Sequence, residues 1–175
     1  MHYFLSIVIN AACGIALLVS SLSVANEYQV FLIRHAEKVV SSSSDPELSE
    51  CGKLQAKALS TLFAELQLPQ LFHTPYLRTT MTATALLQHG RSLQPYEPSK
   101  LAALARQLLD TKQSAVVVGH SNTTPQLAAL LSGQEMQPMS DQQYGMIYQL
   151  IFSDQQFILL NQMQLPQPAG CPGKP

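Results

Sequence analysis

Two histidines each close an apolar run: Val30-Phe31-Leu32-Ile33 ends in Arg34-His35-Ala36-Glu37, and Ala115-Val116-Val117-Val118 ends in Gly119-His120-Ser121-Asn122. Arginines and carboxylates stand at comparable places, with Arg78 after Leu71-Phe72-His73-Thr74 and Glu97 after Ser92 to Tyr96. These residue types suit anion chemistry. Two guanidinium groups with helix N-termini make an anion cradle, and a neutral imidazole inside it can attack or shuttle protons. Taken singly, each is an ordinary polar residue, and Arg78 alone reads as a solvated helix residue paired with a carboxylate.

What brings them together is the order of elements. Short apolar, β-branched runs read as buried strands of a parallel sheet, and between them lie patterns of helical period. Ser49 is a candidate N-cap for a helix ending before Pro69, with Leu54, Ala58, Leu62 and Leu66 at four-residue spacing and Leu59 and Phe63 widening the stripe. Leu77 to Gln88 reads as a second helix stopped by Gly90, and Pro98 to Asp110 as a third. Gln126 to Leu131 reads as a fourth, opened by Thr123 or Thr124 and Pro125 and stopped by Gly133. Met146 to Phe152 and Gln156 to Met163 alternate around Asp154-Gln155, which suggests an edge hairpin. The order βαβαβαβα followed by two strands predicts an α/β fold with a helix-covered, mainly parallel, six-stranded mixed sheet. In such a sheet the carboxyl ends of the parallel strands share one rim, where ligands bind. Arg34, His35, Arg78, Glu97 and His120 all fall on that rim.

Composition bounds the rest. At 175 residues, 46% hydrophobic and 12% charged, the chain suffices for one domain with a full core. A net charge of -1 and the lack of a Lys/Arg-rich run argue against a nucleic-acid partner. No zinc-type Cys/His spacing, HExxH, P-loop or Gly-x-Ser-x-Gly elbow is present. Residues 1–25 contain no Asp, Glu, Lys or Arg, are largely apolar from Tyr3 to Val19, and end in Ser23-Val24-Ala25. This is the layout of a signal peptide, with the mature chain starting at Asn26 and a periplasmic or secreted destination. The rival reading is an uncleaved membrane anchor. In the mature chain Cys51 and Cys171 are either a disulfide or two unpaired thiols, since sequence supplies no Cα distance. A bridge would draw the Pro/Gly-rich tail, residues 165–175, across the mouth of the site. Val39 to Leu48, with four consecutive serines, reads as a mobile polar loop.

Leu32-Ile33-Arg34-His35-Ala36-Glu37, Leu48-Ser49-Glu50-Cys51-Gly52, Thr74-Pro75-Tyr76-Leu77-Arg78 with Thr82-Ala83, and Val118-Gly119-His120-Ser121-Asn122 together resemble the histidine phosphatase superfamily, also called phosphoglycerate mutase-like. The resemblance spans nearly all of residues 26–164. Ala36 stands where many members have glycine, and His73-Thr74-Pro75 where a serine-containing turn is common. The resemblance implies a three-layer α/β/α sandwich and a phosphomonoester hydrolase that needs no metal or other cofactor. It further implies His35 as the nucleophile that becomes phosphohistidine, with Arg34, Arg78 and His120 binding the transferring phosphoryl group. For the proton donor it points to Glu97, with Glu37 as the rival; Asn122 either orients the phosphate or caps the fourth helix. The absence of long insertions predicts an open pocket for a phosphorylated small molecule or a phosphorylated envelope component. Two alternatives stand beside this reading: a non-catalytic secreted module that binds a phosphorylated ligand, and a phosphohistidine phosphatase.

Overall fold

The computed structural model describes residues 26–87 and 90–171. The expected signal peptide, its cleavage point and the alternative anchor lie outside them. Among the described residues no helix is long and apolar enough to cross a membrane.

Ten elements follow in the order β1 (Glu27–Arg34), α1 (Glu50–Leu62), β2 (Gln70–His73), α2 (Leu77–Ala85), β3 (Ser92–Pro95), α3 (Leu101–Thr111), β4 (Ala115–Gly119), α4 (Thr123–Ser132), β5 (Met146–Ser153) and β6 (Gln156–Gln164). The six strands form one sheet ordered β3-β2-β4-β1-β5-β6. β1, β2, β3 and β4 pair in parallel, and β5 and β6 are antiparallel additions beside β1. The sheet is mixed and mainly parallel, as the alternation of elements predicted.

Strand alternation divides the core in two. Val30, Leu32, Phe72 and Val117 point to one face and pack with Leu104, Leu108 and Leu127 of α3 and α4. Phe31, Ile33, Leu71, Val116 and Val118 point to the other and pack with Leu59 and Ala83 of α1 and α2 and with Phe63 and Leu86, the residues that close those helices. Two helix layers on a sheet buried on both faces make the three-layer sandwich. The contiguous apolar runs of β1 and β4 are the sequence image of that double burial.

Several boundaries differ from expectation. The α1 stripe is the one through Leu59 and Phe63, with Cys51, Gln55 and Ala56, whereas Leu54, Leu62 and Leu66 are exposed. Spacing alone could not choose between two apolar faces of one helix; the sheet does. α1 stops at Leu62, where the Phe63 N–H bonds the Leu59 carbonyl and the Arg91 guanidinium donates to the carbonyls of Phe63, Leu66 and Leu86. α2 ends at Ala85, before Gly90, and α3 begins at Leu101, because Glu97 to Lys100 form a turn closed by Lys100 N–H on the Glu97 carbonyl. α4 starts at Thr123, which puts Pro125 in its first turn, where the missing N–H costs nothing. Asp154, at φ 54°, makes the tight β5–β6 connection.

Cys51 and Cys171 are bridged, with Cα atoms 5.1 Å apart. The bridge does not carry the described part of the tail, residues 165–171, over the site. Leu165 donates its N–H to the Gly145 carbonyl and packs on the core, and residues 165–168 line a separate cavity of about 310 Å³ with Gln55 and residues 142–145. The loop expected to be mobile is tied at its ends: Lys38 bridges Leu48, and Val39 N–H bonds the Glu47 carbonyl. Leu48 is buried between them.

Candidate active site

The carboxyl ends of β1 and β4 lie side by side, with Arg34 opposite Gly119 in the register, so His35 and His120 emerge as neighbours. His35 N–H bonds the Gly119 carbonyl at 2.9 Å, and the two imidazoles stand 5.4 Å apart, edge to face. A side chain at position 119 would press on Thr123 Oγ1, Thr124 Oγ1 and Tyr96 Oη, so the end of β4 is closely packed against the start of α4.

His35 is almost wholly buried. Its Nδ1 lies 2.8 Å from the Ala36 carbonyl oxygen, and since a carbonyl only accepts, Nδ1 carries the proton and Nε2 keeps its lone pair. Burial pushes its pKa down to about 3; the Ala36 bond opposes this, and Arg34, His120 and Arg78 add to it. His35 is therefore a neutral base at ordinary pH. The Ala36 N–H donates to Thr82 Oγ1 at 3.0 Å, and that hydroxyl donates to the Arg78 carbonyl at 2.8 Å, which locks the backbone beyond His35 to α2.

His120 accepts from Arg78 Nη2 at Nδ1, 3.5 Å away, and its Nε2 is 2.9 Å from Thr74 Oγ1. Thr74 Oγ1 lies 2.8 Å from Thr79 Oγ1, which bonds on to the carbonyls of Thr74 and Tyr76. This buried threonine pair sets the imidazole orientation. Burial first, then Arg78 and Arg34, hold the His120 pKa at about 4, with Asp45 acting the other way.

The two arginines differ. Arg34, 3% exposed at its side chain, donates Nη1 to the carbonyls of Ser140 and Gln143 at 2.9 Å each and Nη2 to that of Asp141 at 3.0 Å. Arg78 donates Nη1 to Asp45 Oδ1 at 3.3 Å. Each guanidinium lies over a tyrosine ring, Arg34 on Tyr144 at 4.2 Å and Arg78 on Tyr76 at 4.6 Å. Among the described residues, the buried Nε of each arginine has no hydrogen-bond partner. Two unpaired guanidinium N–H groups beside two imidazoles are what an incoming oxyanion would satisfy.

These groups open into a cavity of about 770 Å³ lined by Arg34, His35, Glu37, Arg78, His120 and Asn122, together with Lys38, Tyr76, Pro98, Asp141 and Tyr144. Glu37 accepts from Ser49 Oγ at 2.9 Å, and the same hydroxyl caps α1 by accepting from the Gly52 N–H at 3.0 Å. Glu97 is exposed, on the turn before α3, and is not among the cavity-lining residues; its neighbour Pro98 is. The structure thus gathers Arg34, His35, Arg78, His120, Asn122 and Glu37, and leaves Glu97 outside. The Asn122 side chain makes no cap bond to α4, so its amide is available to the cavity.

Sequence reading missed the wall formed by residues 140–144. Because β5 runs antiparallel, its first residues pair at the same rim, with Ile147 opposite Ile33, and the long connection from α4 arrives beside His35. Tyr144, 6.0 Å from the His35 ring, and Asp141 enter the site this way. Asp45 was missed as well. It accepts from the Leu77 N–H at 2.9 Å and so caps α2 across the chain, while pairing with Arg78. The Asp45-Pro46 turn was legible in the sequence, but its partner was not.

Among the described residues there is no cluster of three or more His, Cys, Asp or Glu arranged to hold a metal ion.

Residues 30–104 match the family described as Histidine phosphatase superfamily (branch 1). No curated protein matches the chain significantly. Among solved structures, the chain is similar to the protein histidine phosphatase SixA complexed with tungstate, at TM-score 0.62 and 18% identity, covering 78% of this chain and 96% of that one. It is similar to the mycobacterial glucosyl-3-phosphoglycerate phosphatase at TM-score 0.61 and 15% identity, covering 79% and 98%. The phosphoserine phosphatase of Entamoeba histolytica in complex with 3-phosphoglyceric acid gives TM-score 0.61 and 15% identity, covering 80% and 98%. At these identities the likeness is one of fold.

Proposed function

We propose, from the match of residues 30–104 to the histidine phosphatase superfamily, that this chain is a member of it and a phosphomonoester hydrolase working through a phosphohistidine on His35. The observation that carries this reading is the state of His35: buried, neutral, its Nδ1 proton held by the Ala36 carbonyl, and its Nε2 free beside His120 and Arg78.

The phosphoryl group sits among the unpaired Nε–H groups of Arg34 and Arg78 and the His120 ring, with the Asn122 amide at its edge. His35 Nε2 attacks phosphorus in line. The ester P–O bond breaks, and its electron pair leaves on the alcohol oxygen, which takes a proton from a carboxylic acid. Water then attacks the phosphohistidine, the P–N bond breaks with its electrons returning to Nε2, and the carboxylate receives the water's proton. Preorganised cations stabilise the charge spread over the phosphoryl oxygens in both steps. Glu37 takes the acid's part because it lines the cavity, and Glu97 does not. The substrate is a phosphorylated small molecule or envelope component. A periplasmic or secreted location accords with the Cys51–Cys171 bridge, a feature of oxidising compartments.

The test is hydrolysis of 4-nitrophenyl phosphate in EDTA. Wild type turns over and His35→Ala falls to background. Glu37→Gln slows ethyl phosphate far more than 4-nitrophenyl phosphate, whose leaving group needs little protonation, and Glu97→Gln slows neither. An inactive wild type would leave a module that binds phosphorylated ligands without cleaving them.

A further inference from the structure

The site cavity has an apolar continuation. A groove of about 780 Å³, within the range of small-molecule sites, runs between the start of α3 and the second half of α4 and is floored by Leu101, Ala102, Ala129, Leu130 and Met136. It contains no Lys or Arg, and its only charged residue is Glu135. Leu130 is half exposed there.

The groove joins the phosphate cradle along two paths. Pro98 lines both cavities directly. Along the other path, Ser121 and Asn122 of the site also line a small intermediate hollow with Gln126, Ala129 and Met136, and those three belong to the groove. A ligand leaving the cradle over the first turn of α4 therefore passes onto an apolar surface without crossing open charge.

Polarity changes along this track. Lys38, Arg34 and Arg78 gather at one end, with Glu37 and Asp141 on the same walls, and aliphatic side chains with one carboxylate lie at the other. An anionic head is held at the first and repelled from the second, while water leaves the second at a gain of free energy when an apolar chain covers it. Resting on the phosphatase reading given above, we propose that the site takes amphiphilic phosphomonoesters, with the phosphate in the cradle and a single aliphatic chain along the α3–α4 groove.

Binding of non-hydrolysable alkylphosphonates to the full protein tests this independently of turnover. Calorimetry with ethyl-, hexyl- and decylphosphonate, below their aggregation concentrations, should give affinity rising with chain length, about 30-fold or more from ethyl to decyl. Leu130→Asp and, separately, Ala102→Glu are surface changes that leave the cradle alone. Each should cut the ethyl-to-decyl ratio to about threefold or less, by placing charge where the chain lies, with 4-nitrophenyl phosphate turnover unchanged. Equal affinities for all three ligands would overturn the proposal, and so would a chain-length effect that both variants keep. If no ester is hydrolysed yet the affinity series persists and the variants abolish it, the catalytic reading fails and the groove stands. Turnover of the aryl ester with a flat series means the converse.

Discussion

His35 and His120 occupy a site that keeps both rings neutral. For His35 the folded pKa of about 3 lies below the ordinary value of 6.5, burial being the main cause. Between those two values the unfolded chain binds a proton that the folded chain does not, so stability rises with pH across that window and levels off above it. The slope from this one histidine is at most about 1.4 kcal/mol per pH unit. Urea unfolding at pH 4, 5 and 7 should therefore show a loss on acidification that His35→Ala reduces. Because the nucleophile must be neutral, protonation of the two histidines should add no acid limb to kcat/KM for 4-nitrophenyl phosphate above about pH 5, and should impose one near pH 4 or below. The arginines separate in a different way. Arg34 holds three carbonyl oxygens of residues 140–143 through a planar fork that lysine cannot copy. Arg34→Lys should cost about 2 to 3 kcal/mol of stability as well as activity, whereas Arg78→Lys, whose ion pair with Asp45 is partly exposed and whose bond to His120 is long, should lose activity with little change in unfolding.

At the scale of elements, the site depends on how closely α1 approaches the strand that carries His35. An added Cβ at Gly52 would lie 1.9 Å from the Glu37 carbonyl oxygen, a backbone atom that cannot yield. Gly52→Ala should push the first turn of α1 away, at a cost of about 2 to 3 kcal/mol, and should loosen the Ser49 hydroxyl that bonds both Glu37 and the Gly52 N–H. A lowered urea midpoint together with reduced turnover checks this; a variant as stable as wild type would show that α1 has room to move. The element boundaries carry the same lesson. Ser49 was legible as a cap because the hydroxyl and its N–H target lie three residues apart. The cap of α2 was not, because Tyr76 supplies no side-chain bond and Asp45, 32 residues before the Leu77 N–H it accepts from, does.

The whole molecule is strapped by one covalent link. Cys51 and Cys171 are 120 residues apart, and closing a loop of that length removes unfolded-state entropy worth about 5 kcal/mol in the chain-entropy model. Reduction should lower the urea midpoint sharply and add two protons to the intact mass. It should leave turnover unchanged while the chain stays folded, since no described tail residue lines the site cavity. What the sequence by itself determined was local: which runs are strands buried on both faces, that helices alternate with them, and which polar residues end each run at one rim. Those follow from side-chain period and chain order, which a linear string carries in full. Only the tertiary structure decided which face of α1 is core, that residues 140–144 wall the site and occupy Arg34, that Glu37 faces the cavity while Glu97 does not, and that the two cysteines meet. Each of these is a contact between segments far apart in the chain. Its geometry depends on the packing of the intervening elements, which no spacing of residues records.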